Sequence, residues 1–163
     1  MKKYTLKLAC AIIVLATVVL DNLTKNLAVI SLKDRGAGDF SVIDGIFHFT
    51  YHENKGAAFG MLSDNRWIFM SISIIAILAI AVYLFINKEN SPLLSVSLAL
   101  ILGGGIGNMI DRVLLGYVID FLNFKIINFP IFNLADTFVT VGAALMVTYL
   151  FTSENHKDTQ GNT

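Results

Sequence analysis

The chain has 163 residues, of which 55% are apolar and only 15% charged, and its mean hydropathy is +0.68. A soluble domain carries about 45–50% apolar and about 25% charged residues, so this chain has too few charges to cover a water-facing surface and is expected to sit in lipid. Its 12 Phe and 5 Tyr exclude disorder, 12 basic against 12 acidic residues leave no field for nucleic acid, and one cysteine, Cys10, excludes a disulfide framework or multi-cysteine metal site.

Four stretches approach the roughly 20 residues needed to cross a ~30 Å hydrocarbon core. The first, about 8–30, is free of charge from Leu8 to Leu20, where Asp21 interrupts it. Three lysines before an apolar run also fit a cleaved signal peptide. No small-x-small cleavage site follows, however, so the segment is read as a permanent helix. The second, about 67–86, contains no charge. The third, about 93–110, carries Gly103, Gly104, Gly105 and Gly107, which permit close helix contact. The fourth, about 133–151, has Asp136 near its start, and a polar tail follows at 153–163. The expected fold is an all-α polytopic membrane protein of four transmembrane helices, one domain over 1–152, with a small extracytoplasmic β-rich interfacial segment.

An even number of spans puts both termini on one side. That side would carry Lys2, Lys3, Lys7, Lys88 and Lys157; the other would carry seven Lys and Arg residues. The raw count opposes the leading lysines, but the first helix usually dominates orientation. The termini are therefore expected in the cytoplasm, with the tail cytoplasmic and segments 31–66 and 111–132 outside.

Neither of these outer segments reads as an ordinary loop. Asp44-Gly45 is a hairpin turn signal, and after it Phe47, Phe49 and Tyr51 alternate with His48, Thr50 and His52, the period of a strand with one apolar face. Residues 116–131 are also aromatic and β-branched, with Val118, Asp120 and Leu122 on one alternating face. Both suit the membrane–water interface.

Polar groups in or beside a span are costly and therefore informative. Asp21 and Lys25 are four apart; so are Asn108 and Arg112, with Asp111 adjoining; Asn133 and Asp136 are three apart, and Asp120 lies between the last two spans. All fall at one membrane face. Each has a structural reading too: Asp21–Lys25 as an exposed helical ion pair, Arg112 as a snorkelling anchor, Asn133 as a helix cap, and Asp136 as a carboxylate favoured by the helix dipole. Asp120, between Ile119 and Phe121, needs a partner or a proton.

Pairing Asp120 with Asp136 yields a chemistry. Two nearby carboxyls share one proton, so the ionised member can take a proton from water while the protonated one polarises a peptide carbonyl. Other routes are poorly supplied: His48, His52 and Glu53 match no zinc helix motif, Cys10 lies at the opposite face, and no spacing selects a Ser63–Lys55 dyad.

At these residues the sequence resembles bacterial lipoprotein signal peptidase, or signal peptidase II. The resemblance runs through four ordered blocks: Asp21 with Lys25, N-K-G-A-A-F-G from Asn54 to Gly60, G-G-I-G-N-M-I-D-R-V-L-L-G-Y-V-I-D-F from Gly104 to Phe121, and F-N-L-A-D from Phe132 to Asp136. Phe129 before Pro130, where tryptophan is frequent, and Val139, in place of a common isoleucine, depart from the family pattern without touching a polar group. The resemblance implies that Asp120 and Asp136 form the catalytic pair and that Asn108 and Asn133 orient either that pair or the scissile carbonyl. It further implies that Asn54, Gly56 and Arg112 meet the substrate backbone, and that Asp21 with Lys25 support the site. The implied substrate is a diacylglyceryl-modified prolipoprotein, cut just before its lipidated cysteine. The implied setting is a monomer among the lipids of the bacterial cytoplasmic membrane, open to globomycin-type inhibitors and needing no metal or organic cofactor. Two other classes compete: a proton carrier, which would place carboxylates through the midplane, and an assembly subunit packing through its glycine-rich helix.

Overall fold

A computed structural model describes residues 3–56, 66–86, 91–127 and 129–160. It contains four long helices, α1 (Lys3–Ala28), α2 (Arg66–Ile86), α3 (Pro92–Leu114) and α4 (Leu134–Gln160), and three strands, β1 (Asp39–Ile43), β2 (Phe47–Asn54) and β3 (Val118–Phe124). Among the described residues, Tyr4–Asp34, Pro92–Leu114 and Leu134–Ser153 are long and apolar enough to cross a membrane, and α2 offers the shorter apolar stretch Met70–Ile86. Their exteriors display Leu8, Leu15, Leu23, Ile72, Ile75 and Leu150 to the surroundings, an arrangement stable in hydrocarbon and not in water.

α3 is the central helix, packed on α4, α1 and α2. Ser91 starts it: its hydroxyl accepts from the Leu94 N–H, and Pro92 occupies the first turn, where no N–H is needed. The glycine run explains how three helices can converge on it. A Cβ at Gly103 would strike the Thr17 side chain, one at Gly104 the Ala135 carbonyl, and one at Gly107 would lie 2.5 Å from the Asp21 carboxylate. Gly142 of α4 returns the favour against the Ser97 carbonyl at 2.7 Å. Away from the polar end, Cys10, Leu84, Leu98, Ala99 and Leu102 form the apolar core.

Several boundaries differ from the sequence expectation. α1 does not stop near residue 30 but continues through a wider π-helical turn, Val29–Asp34, which buries Leu32. α3 runs to Leu114 instead of 110, carrying Arg112 within the helix. α4 continues to Gln160 instead of yielding to an irregular tail after 152, because no proline or glycine falls between Thr152 and Gly161. The stretch 57–65, including Gly60 and Ser63, and most of the 87–92 turn lie outside the described residues.

The outer segments form one antiparallel sheet in the order β1-β2-β3. The expected hairpin is present, with Gly45 at φ 68° and the Ile46 N–H bonding the Ile43 carbonyl at 3.0 Å. Phe47 pairs with Phe124 and Phe49 with Leu122, but then the register shifts so that His52 pairs with Asp120 and Asn54 with Val118. That extra residue in β2 is a bulge, and it turns the strand's phase over. Phe49 and Tyr51 seat the sheet on Ala28 and Leu32 at the end of α1, together with Phe121.

Gly104→Ala is expected to cost about 1–3 kcal/mol by overpacking, since the carbonyl it meets belongs to backbone. Unfolding in detergent should show it. Gly105→Ala, whose added carbon meets only the flexible Ile77 side chain at 3.3 Å, should cost less.

Candidate active site

α1 contributes Asp21 and Lys25 one helical turn apart, and neither is an exposed surface ion pair. Asp21 is 0% and Lys25 1% accessible. The Lys25 ammonium lies 2.7 Å from Asp21 Oδ2 and 2.9 Å from Asp111 Oδ2, and it donates to Asn108 Oδ1 at 3.0 Å. Its three N–H bonds are thus spoken for. The two carboxylates reach onward: Asp21 Oδ1 accepts from the Ala135 N–H at 2.9 Å, and Asp111 Oδ2 accepts from the Ile119 N–H at 3.1 Å. One cation therefore ties α1 to α3, to the first turn of α4 and to the residue before Asp120.

α4 opens with a reciprocal cap. Asn133 Oδ1 accepts from the Asp136 N–H at 2.9 Å, and Asp136 Oδ2 accepts from the Asn133 N–H at 3.2 Å, a capping box with Asp in the place of Glu. The capping role predicted for Asn133 holds, and the same side chain does more. Its amide nitrogen donates to Asp120 Oδ1 at 2.7 Å and to Asn108 Oδ1 at 3.0 Å. Asn108 in turn donates to Asp136 Oδ1 at 2.7 Å, while Asn54 donates to Asp120 Oδ2 at 2.8 Å. Asn133 and Asn108 thus bridge the two carboxylates, and Asn54 holds Asp120 alone.

Arg112 borders this network. Its guanidinium donates to the Asn108 carbonyl at 3.3 Å and the Gly56 carbonyl at 3.4 Å, so it faces inward. Gly56 is held by its own N–H, which bonds Asn54 Oδ1 at 3.0 Å. All nine residues singled out in the sequence (Asp21, Lys25, Asn54, Gly56, Asn108, Arg112, Asp120, Asn133 and Asp136) come together at one end of the helix bundle. Asp111, which the sequence marks only as a neighbour of Arg112, supplies the second counterion. Its spacing of three from Asn108 put it on the same helix face, which was the available signal. Among the alternatives, Cys10 is buried against the Ser95 carbonyl, and His48 binds Asp39 at 2.8 Å on the sheet.

Burial drives the Asp120 carboxyl upward, the neighbouring Asp136 charge adds to this, and the Asn54 and Asn133 amides pull back, leaving it at about 7. A half-buried Asp136 stands beside the buried Asp120, each held by asparagine amides. Such a pair can activate water and protonate a leaving group in one site.

Lys25→Met is expected to destabilise by about 3–5 kcal/mol, because two buried carboxylates lose their counterion. The triple variant Asp21→Asn, Lys25→Met, Asp111→Asn should recover part of that loss in thermal unfolding.

A family model for signal peptidase II matches residues 13–152. The lipoprotein signal peptidase of Clostridium tetani is 41% identical over 150 residues, covering 90% of this chain and 95% of that protein. Its counterpart from Caldanaerobacter subterraneus is 46% identical over 138 residues, covering 83% and 92%. A bacterial membrane enzyme solved by the in meso method at 2.3 Å resolution superposes with a TM-score of 0.80 at 32% identity, covering 91% of each chain. A second, at 1.9 Å, gives 0.76 at 34% identity, covering 87% of this chain and 92% of that one. The chain belongs to the signal peptidase II family.

Proposed function

We propose that this protein is an aspartic endopeptidase of the bacterial cytoplasmic membrane. In this reading it cleaves diacylglyceryl-modified prolipoproteins just before the lipidated cysteine. The observation that carries it is the pair Asp120 and Asp136, bridged through Asn133 and Asn108. Asp120 holds the shared proton and polarises the scissile carbonyl. Asp136 takes a proton from the attacking water, and the proton reaches the departing amide nitrogen as the tetrahedral intermediate collapses. Arg112 and the Gly56 backbone meet the substrate main chain; Asn54 steadies Asp120; Lys25 with Asp21 and Asp111 fixes the frame. The chemistry calls for no metal or organic cofactor, and a globomycin-type inhibitor would compete for the same two carboxylates.

The substrate's acyl chains must stay in lipid, which favours a site at the bilayer edge. The carboxylates gather at one end of the bundle, where β3 meets α3 and α4, instead of following a path through the midplane as a proton carrier requires. Taking α2 as a fourth span puts both termini on one side, and the lysines that lead the first helix favour the cytoplasm for that side, with the sheet outside. The enzyme acts as a monomer of one domain, 1–152.

Mass spectrometry of a lipobox peptide, with and without diacylglyceryl on its cysteine, tests the reading with purified protein. Wild type should cut only the lipidated form, before the cysteine, and Asp120→Asn and Asp136→Asn should each lose at least about 10³-fold in turnover. Equal cutting by the Asn variants would remove the aspartates from the chemistry.

The pH profile supplies an independent check. Asp120 must keep its proton, so activity should fall as pH rises through about 7. The Asn54 amide favours the ionised form, so Asn54→Ala should move that alkaline limb to higher pH while lowering the maximum.

A further inference from the structure

The bulge in β2 brings an imidazole to the site. Beyond it, His52 stands directly opposite Asp120 in the ladder, and Asn54 opposite Val118. Cross-strand neighbours share a face, with Cβ atoms about 4.5–5.5 Å apart. The bond from Asn54 to Asp120 Oδ2 at 2.8 Å shows that this face looks onto the carboxylates. The other polar groups around Asp120 are committed to one another: Asp120 accepts from Asn54 on one oxygen and from Asn133 on the other, and Asn108 serves Lys25, Asn133 and Asp136.

His52 differs from all of them. It is exposed, whereas Asp120 is 1% accessible, and among the described residues its ring has no bonding partner. The other histidine of the strand, His48, is buried and held by Asp39. A neutral imidazole carries one donor and one acceptor, and a protonated one carries two donors. Both nitrogens of His52 are therefore open to a peptide lying across Asp120.

We infer that His52 determines specificity at the substrate residue that follows the lipidated cysteine, where it favours a side chain that accepts a hydrogen bond. The inference rests on the peptidase reading. Two arguments place that residue. Gly56, with Arg112 on its carbonyl, lies past Asn54 in the chain, and His52 lies before it, so the two grip opposite ends of the bound segment. The signal segment before the cut comes out of lipid, while the chain after it must pass into water, where the exposed imidazole stands. Alternation supplies the second argument. Successive side chains of an extended peptide point to opposite sides. The diacylglyceryl chains on the cysteine must point into lipid, so the next side chain turns towards the sheet. It sits two residues from the scissile carbonyl, roughly 7 Å along an extended chain, within reach of a ring mounted opposite Asp120.

The test uses purified full-length protein in detergent and lipidated lipobox peptides that differ only after the cysteine, carrying Asp, Asn or Leu, three side chains of nearly one size. Mass spectrometry gives kcat/KM for each. Wild type should prefer Asp and Asn to Leu by about threefold to tenfold, the range of one hydrogen bond made in place of water. His52→Leu and the smaller truncation His52→Ala should erase that preference, and His52→Gln, which keeps a donor, should retain part of it. A wild type that cuts the three peptides alike overturns the inference. So do ring-less variants that keep the preference, or that lose rate on all three peptides by one factor, which is what a purely structural histidine would do. A wild type that cuts no lipidated peptide overturns the peptidase reading and this inference together.

Discussion

A lysine ammonium enclosed by two carboxylates holds this end of the molecule together. Lys25 is buried with Asp21 and Asp111 on either side and Asn108 as its third acceptor. Burying charge is costly, and a cation so placed is tolerable only when every N–H has an acceptor and the surrounding carboxylates are themselves hydrogen-bonded. Both conditions hold, because Asp21 and Asp111 each take a backbone N–H from another element. The cost of the charges is offset by geometry that an apolar core could not supply: each bond has a direction, and together they set the relative positions of α1, α3, α4 and β3.

Upon that frame the asparagines do work that charged side chains could not. An amide offers a donor and an acceptor in one plane. Asn133 uses the acceptor to begin α4 and the donor to hold Asp120; Asn108 uses the acceptor for Lys25 and Asn133 and the donor for Asp136. Replacing either by a carboxylate would add repulsion where two acids already meet. Replacing either by an apolar residue would leave buried oxygens without partners, which costs more than the bond is worth. Small residues make this density possible, since Gly107 passes beside Asp21 and Gly104 beside the Ala135 carbonyl.

Much of this was legible in the sequence, and the rest was hidden for identifiable reasons. Charges interrupting apolar runs marked Asp21, Lys25, Arg112 and Asp136, because lipid makes such interruptions expensive. Asp111 stayed in the background because the cation it balances lies 86 positions earlier in the chain, beyond any local pattern. The face on which Asn54 stands was hidden by the bulge after Phe49. Simple alternation from Phe47 would set Asn54 with His48 on the polar side, whereas the extra residue returns His52 and Asn54 to the side of Asp120. Periodicity also gave no warning that α1 would widen into a π-helical turn, which depends on packing Leu32 beneath the sheet.

Asp136 has two duties in one carboxylate, since one oxygen closes the cap of α4 and the other meets Asn108. Asn133 is likewise both the start of a membrane helix and the tether of Asp120. An inhibitor that grips these two side chains would confront the organism with an unusual bind. Any substitution that loosened the drug would also loosen the helix on which the site is built. Resistance would have to arise at the periphery, through the exposed sheet or the supply of substrate, and not at the centre.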